Sequence, residues 1–408
     1  MANTIKTLSD GDITRKALSI LHNNLVFTKT TNRSYDDRFA RSGAKNGGTL
    51  LIREPNQFTV RTGAVMDTQD VTEATQTLTL ATQKGVDINF SSVELTLSLD
   101  DFAERILEPA MARLAAQVDS DYIGEMYKYV YNYLPTTLTT KPVLADILGA
   151  RAKLAQGLAP PGDHNIMIAS LEANAVITDG KSLYHASSEI ERQYSQGLIG
   201  RIAGFKFWES EMAPTHTCGS RTDTTPTCDI SSGGGLTSGD ATITMDAFAS
   251  STTYKVGDVF TIAGLYAVNN ETKAVYPHLQ QFSVITASTS LSTVMTVEVS
   301  PIPVTSGAKQ NCSIVTSSSA AAVENLDFGA ASTSYRNTLA YHKDAFAFVT
   351  ADLEMPRGMD FAAREVYDGI SLRLLRQYDI VNDKYPCRID VLYGYKAVRP
   401  EWACRICS

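Results

Sequence analysis

Between Thr77 and Leu134 a run of alternating apolar residues feeds directly into a long amphipathic segment, with no catalytic signature beside it. In Val86-Asp87-Ile88-Asn89-Phe90 and in Val93-Glu94-Leu95-Thr96-Leu97-Ser98-Leu99 every second side chain is apolar. Such residues share one face of a pleated strand, so both stretches read as half-buried strands. Asp100 and Asp101 can accept from the free amides of an opening helix, and Phe102, Ile106 and Leu107 follow at helical spacing. Pro109 lacks an amide proton and disfavours the α conformation at Glu108, which makes it the first residue of a second, longer helix. Ala110, Met111, Leu114, Val118, Tyr122 and Met126 give that helix one apolar stripe. Continued to Leu134, before Pro135, it would reach roughly 39 Å at 1.5 Å per residue. A helix of that reach can span a whole subunit.

A chain of 408 residues with 43% hydrophobic content can bury a large core, and its length suggests two or three domains. No run of eighteen apolar residues is present, and Met1-Ala2-Asn3-Thr4-Ile5-Lys6 has no apolar signal core, so folding in a cytosol without membrane contact is expected. Cys218, Cys228, Cys312, Cys387, Cys404 and Cys407 are too scattered for a disulfide framework and are expected to be reduced. The net charge of −8 is uneven: residues 1–61 hold ten Lys/Arg against five Asp/Glu, giving +5 there and −13 in the remainder. A basic end and an acidic body on every copy suit contact between copies, although single surface charges are usually just solvated. The overall sign disfavours a charge-driven grip on duplex DNA.

Five segments follow from composition. Residues 1–48 form an N-terminal helix, Ile13 to Leu21, and a polar basic arm. Residues 49–85 form an extended loop hairpin, with Phe58 and Val60 alternating on one strand and Leu78 and Leu80 on the other. An isolated hairpin is marginal in water, so it needs a surface to lie on, and a neighbouring subunit would serve. Residues 86–214 hold the long helix and an α+β core: a helix Val143–Leu158, a buried strand at Ile166-Met167-Ile168, helices through Ile177 and around Ser188–Tyr194, and a strand at Phe205–Trp208. After Met212 the composition turns to Ser, Thr and Gly with short recurring strands, so 215–329 reads as an inserted β-barrel or sandwich. Residues 330–408 return to the core, with an apolar strand-like run Leu339–Thr350 and a long hairpin pairing Gly369–Ile380 with Cys387–Val398 through Asn382-Asp383.

The usual phosphate-loop, nucleophile-elbow and zinc-helix signatures are missing, so no enzyme activity, cofactor or metal is expected. Cys404-Arg405-Ile406-Cys407 has redox or half-zinc spacing, but no second pair completes a zinc site and a structural role is favoured. His342-Lys343-Asp344 lies in a strand run where successive side chains face opposite ways, which argues against acid–base work. Asp352, Glu354, Asp360, Glu365 and Asp368 are read as solvated carboxylates rather than a cation site. Tyr122, Tyr127, Tyr129, Tyr131 and Tyr133 are read as packing.

Asp101-Phe102-Ala103-Glu104-Arg105-Ile106-Leu107-Glu108-Pro109-Ala110, Gly200-Arg201-Ile202-Ala203-Gly204-Phe205, Leu339-Ala340-Tyr341-His342-Lys343-Asp344-Ala345-Phe346 and Asp390-Val391-Leu392-Tyr393-Gly394-Tyr395-Lys396-Ala397 carry a resemblance. With the order of parts, they make the chain resemble the major capsid (coat) proteins of tailed bacteriophages, specifically the short-tailed-phage family with an extra β-barrel insertion. The resemblance implies an α+β, Hong Kong 97-type capsid fold with N-arm, extended loop, spine helix, peripheral and axial domains. It also implies self-assembly of pentamers and hexamers into an icosahedral shell around packaged double-stranded DNA, bound without sequence reading. Scaffolding protein and portal are the implied partners, and assembly in the bacterial host cytoplasm yields a virion whose precursor shell expands. By that analogy Thr49–Leu80 reaches onto a neighbour, and the charge split adds candidate interface residues: Arg38, Arg41, Arg53 and Arg61 meeting Asp67, Asp70 and Glu73 of another copy. Two other classes compete: a hydrolase with a cross-domain Asp/His site, and a carbohydrate-binding surface on the β insert using Tyr254, Tyr266 and Tyr276.

Overall fold

The computed structural model describes residues 10–33, 48–66, 68–71, 73–91, 108–134, 141–180, 201–221, 225–231, 234–290, 292–326, 333–367 and 370–407. The chain divides into two compact units, one of Met1–Arg53, Thr75–Tyr122 and Phe346–Val398, the other of Glu54–Ala74, Ile123–Ala345 and Arg399–Ser408.

In the first unit an antiparallel sheet is built around the long strand Lys384–Ala397. It pairs with Thr82–Ser91, Phe346–Ala351 and Ile370–Arg376, and Phe361–Tyr367 adds to the last of these. The expected closing hairpin is present, with Arg373 opposite Asp390 and Arg376 opposite Cys387. Val86 and Ile88 are half-buried between exposed Asp87 and Asn89, as alternation requires. Gly85 permits the close pairing there, since a Cβ would lie 2.6 Å from the Ile389 carbonyl oxygen. The Val93–Leu99 alternation and the short helix after Asp100 lie outside the described residues.

A separate ladder pairs Thr49–Arg53 with Thr75–Thr79. Its buried Ile52 and Leu78 pack with Leu80, Ala347, Val349 and Ala351. Phe58 and Val60 are therefore not on this strand; they sit in irregular chain, and the ladder begins nine residues earlier than the Phe58 alternation indicated. The burial of Ile52 and Leu78, rather than alternation alone, selected the register.

The long helix runs Glu108–Met126, roughly 28 Å at 1.5 Å per residue, and buries Met111, Leu114, Val118, Tyr122 and Met126. It stops eight residues before Leu134. Tyr127–Tyr129 tighten into a 3-10 turn and Val130 is extended. Tertiary hydrogen bonds explain the early stop. Gln281 accepts from the Tyr133 amide (3.0 Å) and donates to its carbonyl (2.9 Å); the Ser283 hydroxyl donates to the Lys128 carbonyl and the Arg405 amide to the Asn132 carbonyl (2.8 Å). These partners satisfy backbone groups that a continued helix would have paired internally.

The second unit holds a mixed sheet in the order Tyr133–Leu134, Ala403–Cys407, Ser334–His342, His164–Ile168, Phe205–Glu209, Arg201–Ile202. Helices Leu144–Gln156 and Ser170–Gly180 pack on it through Ile147, Leu154 and Val176 against Ile166, Phe205 and Cys404. The helix expected around Ser188–Tyr194 lies outside the described residues. Leu339–Thr350 is not one strand: a 3-10 turn, Lys343–Ala345, separates Ser334–His342 from Phe346–Ala351, and the two strands join different sheets. Thr215–Thr217, at the start of the expected insert, pairs with Ser334–Arg336 of the core strand.

The insert itself is a sheet in the order Thr242–Met245, Met295–Ser300, Val275–Val284, Val259–Val268, Ala321–Asn325, Thr227–Cys228. Reciprocal hydrogen bonds between Thr227 and Asp246 bring its ends together, so the sheet closes nearly into a barrel. Phe248, Tyr254, Phe260, Ile262, Phe282, Val284 and Val297 fill its core.

Candidate functional site

Residues Glu54–Ala74 connect the strands Thr49–Arg53 and Thr75–Thr79. The arm has no regular ladder, and few internal bonds shape it. Thr59 and Gln69 exchange hydrogen bonds, amide to Oε1 at 2.8 Å and Nε2 to carbonyl at 2.6 Å, and the Glu54 amide donates to Ala74 (2.9 Å). Arg61 turns its guanidinium onto the carbonyls of Gly63 and Val65. The arm is exposed along nearly all its described length, and its large apolar side chains stand in solvent with the polar ones: Phe58 is 59% exposed, Val60 96%, Val65 85%, Met66 77% and Val71 59%. Five such side chains along one segment are the pattern of a surface awaiting a partner. Of the proposed charged contacts, Arg53, Arg61, Asp70 and Glu73 are exposed, and Arg38, Arg41 and Asp67 lie outside the described residues.

The barrel is held in the second unit by buried charge that sequence reading did not identify. Asp258 accepts from His216 Nε2 (2.8 Å), Arg221 Nη2 (3.2 Å), the Gly219 amide (3.1 Å) and the Lys255 amide (2.8 Å). Burial would raise its carboxyl, yet the hydrogen bond from His216 and the Arg221 charge hold it below the usual range. Burial also lowers the His216 pKa, so the imidazole is neutral: Nε2–H donates to Asp258 and Nδ1 accepts from the Tyr127 hydroxyl at 3.1 Å. Burial pushes the Tyr127 hydroxyl up to about 12. A Tyr–His–Asp line of this kind can relay a proton, but His216 is 2% exposed and Asp258 0%, so no substrate reaches it and its work is structural.

Arg405, fully buried, donates to the Gly257 carbonyl (2.8 Å) and toward the Ser283 hydroxyl (3.4 Å), with its guanidinium 5.8 Å and 5.6 Å from the rings of Tyr127 and Tyr133. The final strand, the chain after the long helix, the barrel strand Val275–Val284 and the turn at Gly257 thus meet on one cation.

The first unit has its own polar anchors. Asp119 on the long helix accepts from the amides of Val26 (2.6 Å), Phe27 and Thr28 (both 3.1 Å) and from the Thr28 hydroxyl (2.6 Å), capping the short helix Phe27–Thr30 from outside. Burial pushes this carboxyl above the ordinary range, and the four donors hold back that rise. Arg373 grips Asp390 with two bonds, 3.0 Å and 2.7 Å, while Gln83 adds a third.

The other sequence candidates are dispersed. Cys404 packs with the helix Leu144–Gln156, and Cys407 with Tyr133, Val259 and Tyr335; three apart on a strand, they face opposite ways and cannot share a metal or a disulfide. His342 stands cross-strand from His164 and edge-on to Trp402, with Nδ1 accepting from the Asp344 amide. Asp352 holds the Ser371 hydroxyl, Asp360 the Tyr378 amide, and Glu365 pairs with Arg15, while Asp368 lies outside the described residues. Among the described residues no three metal-ligating side chains gather, and no helix is long and apolar enough to cross a membrane. Tyr254 points into the barrel core with its hydroxyl on Asn325, and the Tyr276 hydroxyl is engaged by Asn269 (2.9 Å). A sugar-binding row of Tyr254, Tyr266 and Tyr276 is thus not formed.

Among solved structures the chain is similar to that of Mycobacterium phage Che8, with a TM-score of 0.47 and 12% identity over 94% of this chain and 90% of that one. It is also similar to the capsid of Ralstonia phage GP4, with a TM-score of 0.46 and 6% identity over 91% and 85%, and to the mature capsid of bacteriophage PhiM1, with 0.42 and 12% over 89% and 82%. No curated protein sequence matches. The family model of the P22 coat protein, gene protein 5, matches residues 12–405. A match of that extent places the chain in the P22 coat protein family, and its role is that of a phage capsid shell protein.

Proposed function

We propose that this coat protein assembles as pentamers and hexamers into an icosahedral, Hong Kong 97-type shell around packaged double-stranded DNA. Its precursor closes with scaffolding protein and portal in the bacterial host cytoplasm, then expands into the virion capsid. The observation that supports the reading is the 54–74 arm, whose Phe58, Val60, Val65, Met66 and Val71 stand in solvent within one copy and would be covered by a neighbouring one. Arg38, Arg41, Arg53 and Arg61 of one copy meet Asp67, Asp70 and Glu73 of the next, fixing register where the apolar contacts supply adhesion. DNA is enclosed rather than gripped, in keeping with a net charge of −8.

Charge reversal tests the interface. Arg53→Glu with Arg61→Glu is expected to cut the yield of closed particles, counted by electron microscopy, at least tenfold while the circular dichroism of the subunit stays unchanged. Because Arg61 also shapes its own loop, the complementary Asp70→Lys and Glu73→Lys changes are added on the same chain, and particles should return. Unchanged particle yield in the first variant refutes the interface.

A further inference from the structure

A half-open cavity of about 60 Å³, with a mixed polar and apolar lining, lies between the helix Leu144–Gln156, the chain at Tyr131 and Asn132, the barrel strand Val275–Val284 and the turn Pro400–Trp402. Roughly four waters fill such a volume, which is also the scale of one tetrahedral oxyanion. Its walls are fixed by bonds that do not involve the cavity itself. Asn132 Nδ2 donates to the carbonyls of Glu401 (3.1 Å) and Ala403 (3.0 Å), and Trp402 Nε1 donates to the Gly157 carbonyl (2.9 Å).

Two of the lining groups lack a partner among the described residues. The Lys153 ammonium, whose pKa is lowered by burial, makes neither an ion pair nor a hydrogen bond there. Cys404, which interacts electrostatically with it, is no counter-ion, because burial pushes that thiol up to about 12. Gln156 Oε1 is buried and unbonded. The same wall carries the hydroxyl of Tyr131 and the imidazole of His278, whose ring is held by stacking on Tyr276 at 5.4 Å. A half-buried cation beside hydroxyl and imidazole donors is an unfilled demand for negative charge, while the Gln156 oxygen is an acceptor that calls for a proton donor.

We infer that this cavity is a binding site for a small oxyanion of the size and charge of inorganic phosphate, held by Lys153 with donors from Tyr131 and His278, its own hydroxyl donating to Gln156 Oε1. Filling it ties the barrel strand to the core helix through one ion, and mass action then stabilises that arrangement. The opposing group is Glu401, the one carboxylate on the wall. Burial raises its carboxyl, Arg399 counters and Glu54 adds to that rise, so Glu401 takes a proton above the ordinary carboxylate range. His278, lowered to about 4 by burial and by Lys153, stays neutral until strong acid.

The test is calorimetric titration of inorganic phosphate into the full-length protein at constant ionic strength, with chloride as control. At pH 7, wild type should give saturable 1:1 binding, Lys153→Met at least tenfold weaker binding, and Glu401→Gln at least threefold tighter binding. Absence of saturable heat in wild type, or equal affinity in wild type and Lys153→Met, overturns the site. Should Lys153→Met fail to fold, the wild-type titration and Glu401→Gln still decide, since unchanged affinity in the latter also overturns it.

Discussion

The barrel and the 54–74 arm come from one chain and solve burial in opposite ways. The barrel closes its ladder through Thr227 and Asp246, hides Phe260 and Phe282 completely, and answers its buried charges internally, Asp258 with four donors. The arm pairs its backbone sparsely and leaves Val60 96% exposed. One region buries its apolar side chains within the chain, and the other leaves them in solvent. A shell subunit needs both, since a tile must fold before it meets its neighbours and yet keep a surface unsatisfied until it does.

The sharpest way to break the contrast is to hollow the barrel. Phe282→Ala should cost about 3–5 kcal/mol of subunit stability in denaturant titration. Val60→Ser together with Phe58→Ser should change that titration by less than about 0.5 kcal/mol per site while abolishing particles. If the arm variant unfolds the subunit as severely as the barrel variant, the division of labour is wrong.

Next in size is the seat of the barrel. Asp258→Ala strands His216 and Arg221, and about 3 kcal/mol should be lost. Asp119→Asn keeps the shape but weakens four hydrogen bonds, so about 1–3 kcal/mol is expected, with the loss appearing as faster amide exchange at Val26, Phe27 and Thr28.

Acid should act on the seat in a defined order. The folded pKa of His216 lies below its ordinary value of 6.5, so its contribution is complete above 6.5 and is lost as pH falls through the lowered folded value. Asp258, also depressed, adds a second loss below 3.8. His216→Gln should flatten the first part of the stability profile measured by thermal melting between pH 7 and 5. An unchanged profile would assign the loss to His164, His278 and His342, whose values burial also lowers.

The smallest effect separates two ion pairs on the strand Lys384–Ala397. Asp390 is 3% exposed and bound bidentately by Arg373, whereas Arg388 and Asp87 meet at 3.0 Å with 57% and 65% of their side chains in solvent. A double-mutant cycle on Arg388 and Asp87 should give no more than about 1 kcal/mol, and high salt should erase it.

Local pattern made much of this legible. Alternation marked Val86 and Ile88, the stripe from Met111 to Met126 marked the long helix, and the turn-rich stretch after Met212 marked the barrel, because each signal lies within a few residues of what it specifies. Longer-range effects were not legible. The helix was expected to run to Leu134, but Gln281, 148 residues away, takes the backbone of Tyr133. Cys404 and Cys407 have motif spacing, yet the strand turns them apart. Arg405 sits unremarked between those cysteines and becomes a fully buried cation among strands that meet only in the fold.

The sequence by itself determined the order of parts, the type of most elements and the family resemblance, because period and turn chemistry act through neighbouring residues. Only the tertiary structure decided where the helix stops, which alternation becomes a strand, and which charges are buried together. Each of those choices is a competition between local pairing and a partner far along the chain, and desolvation makes the distant partner win only once the core has closed around it.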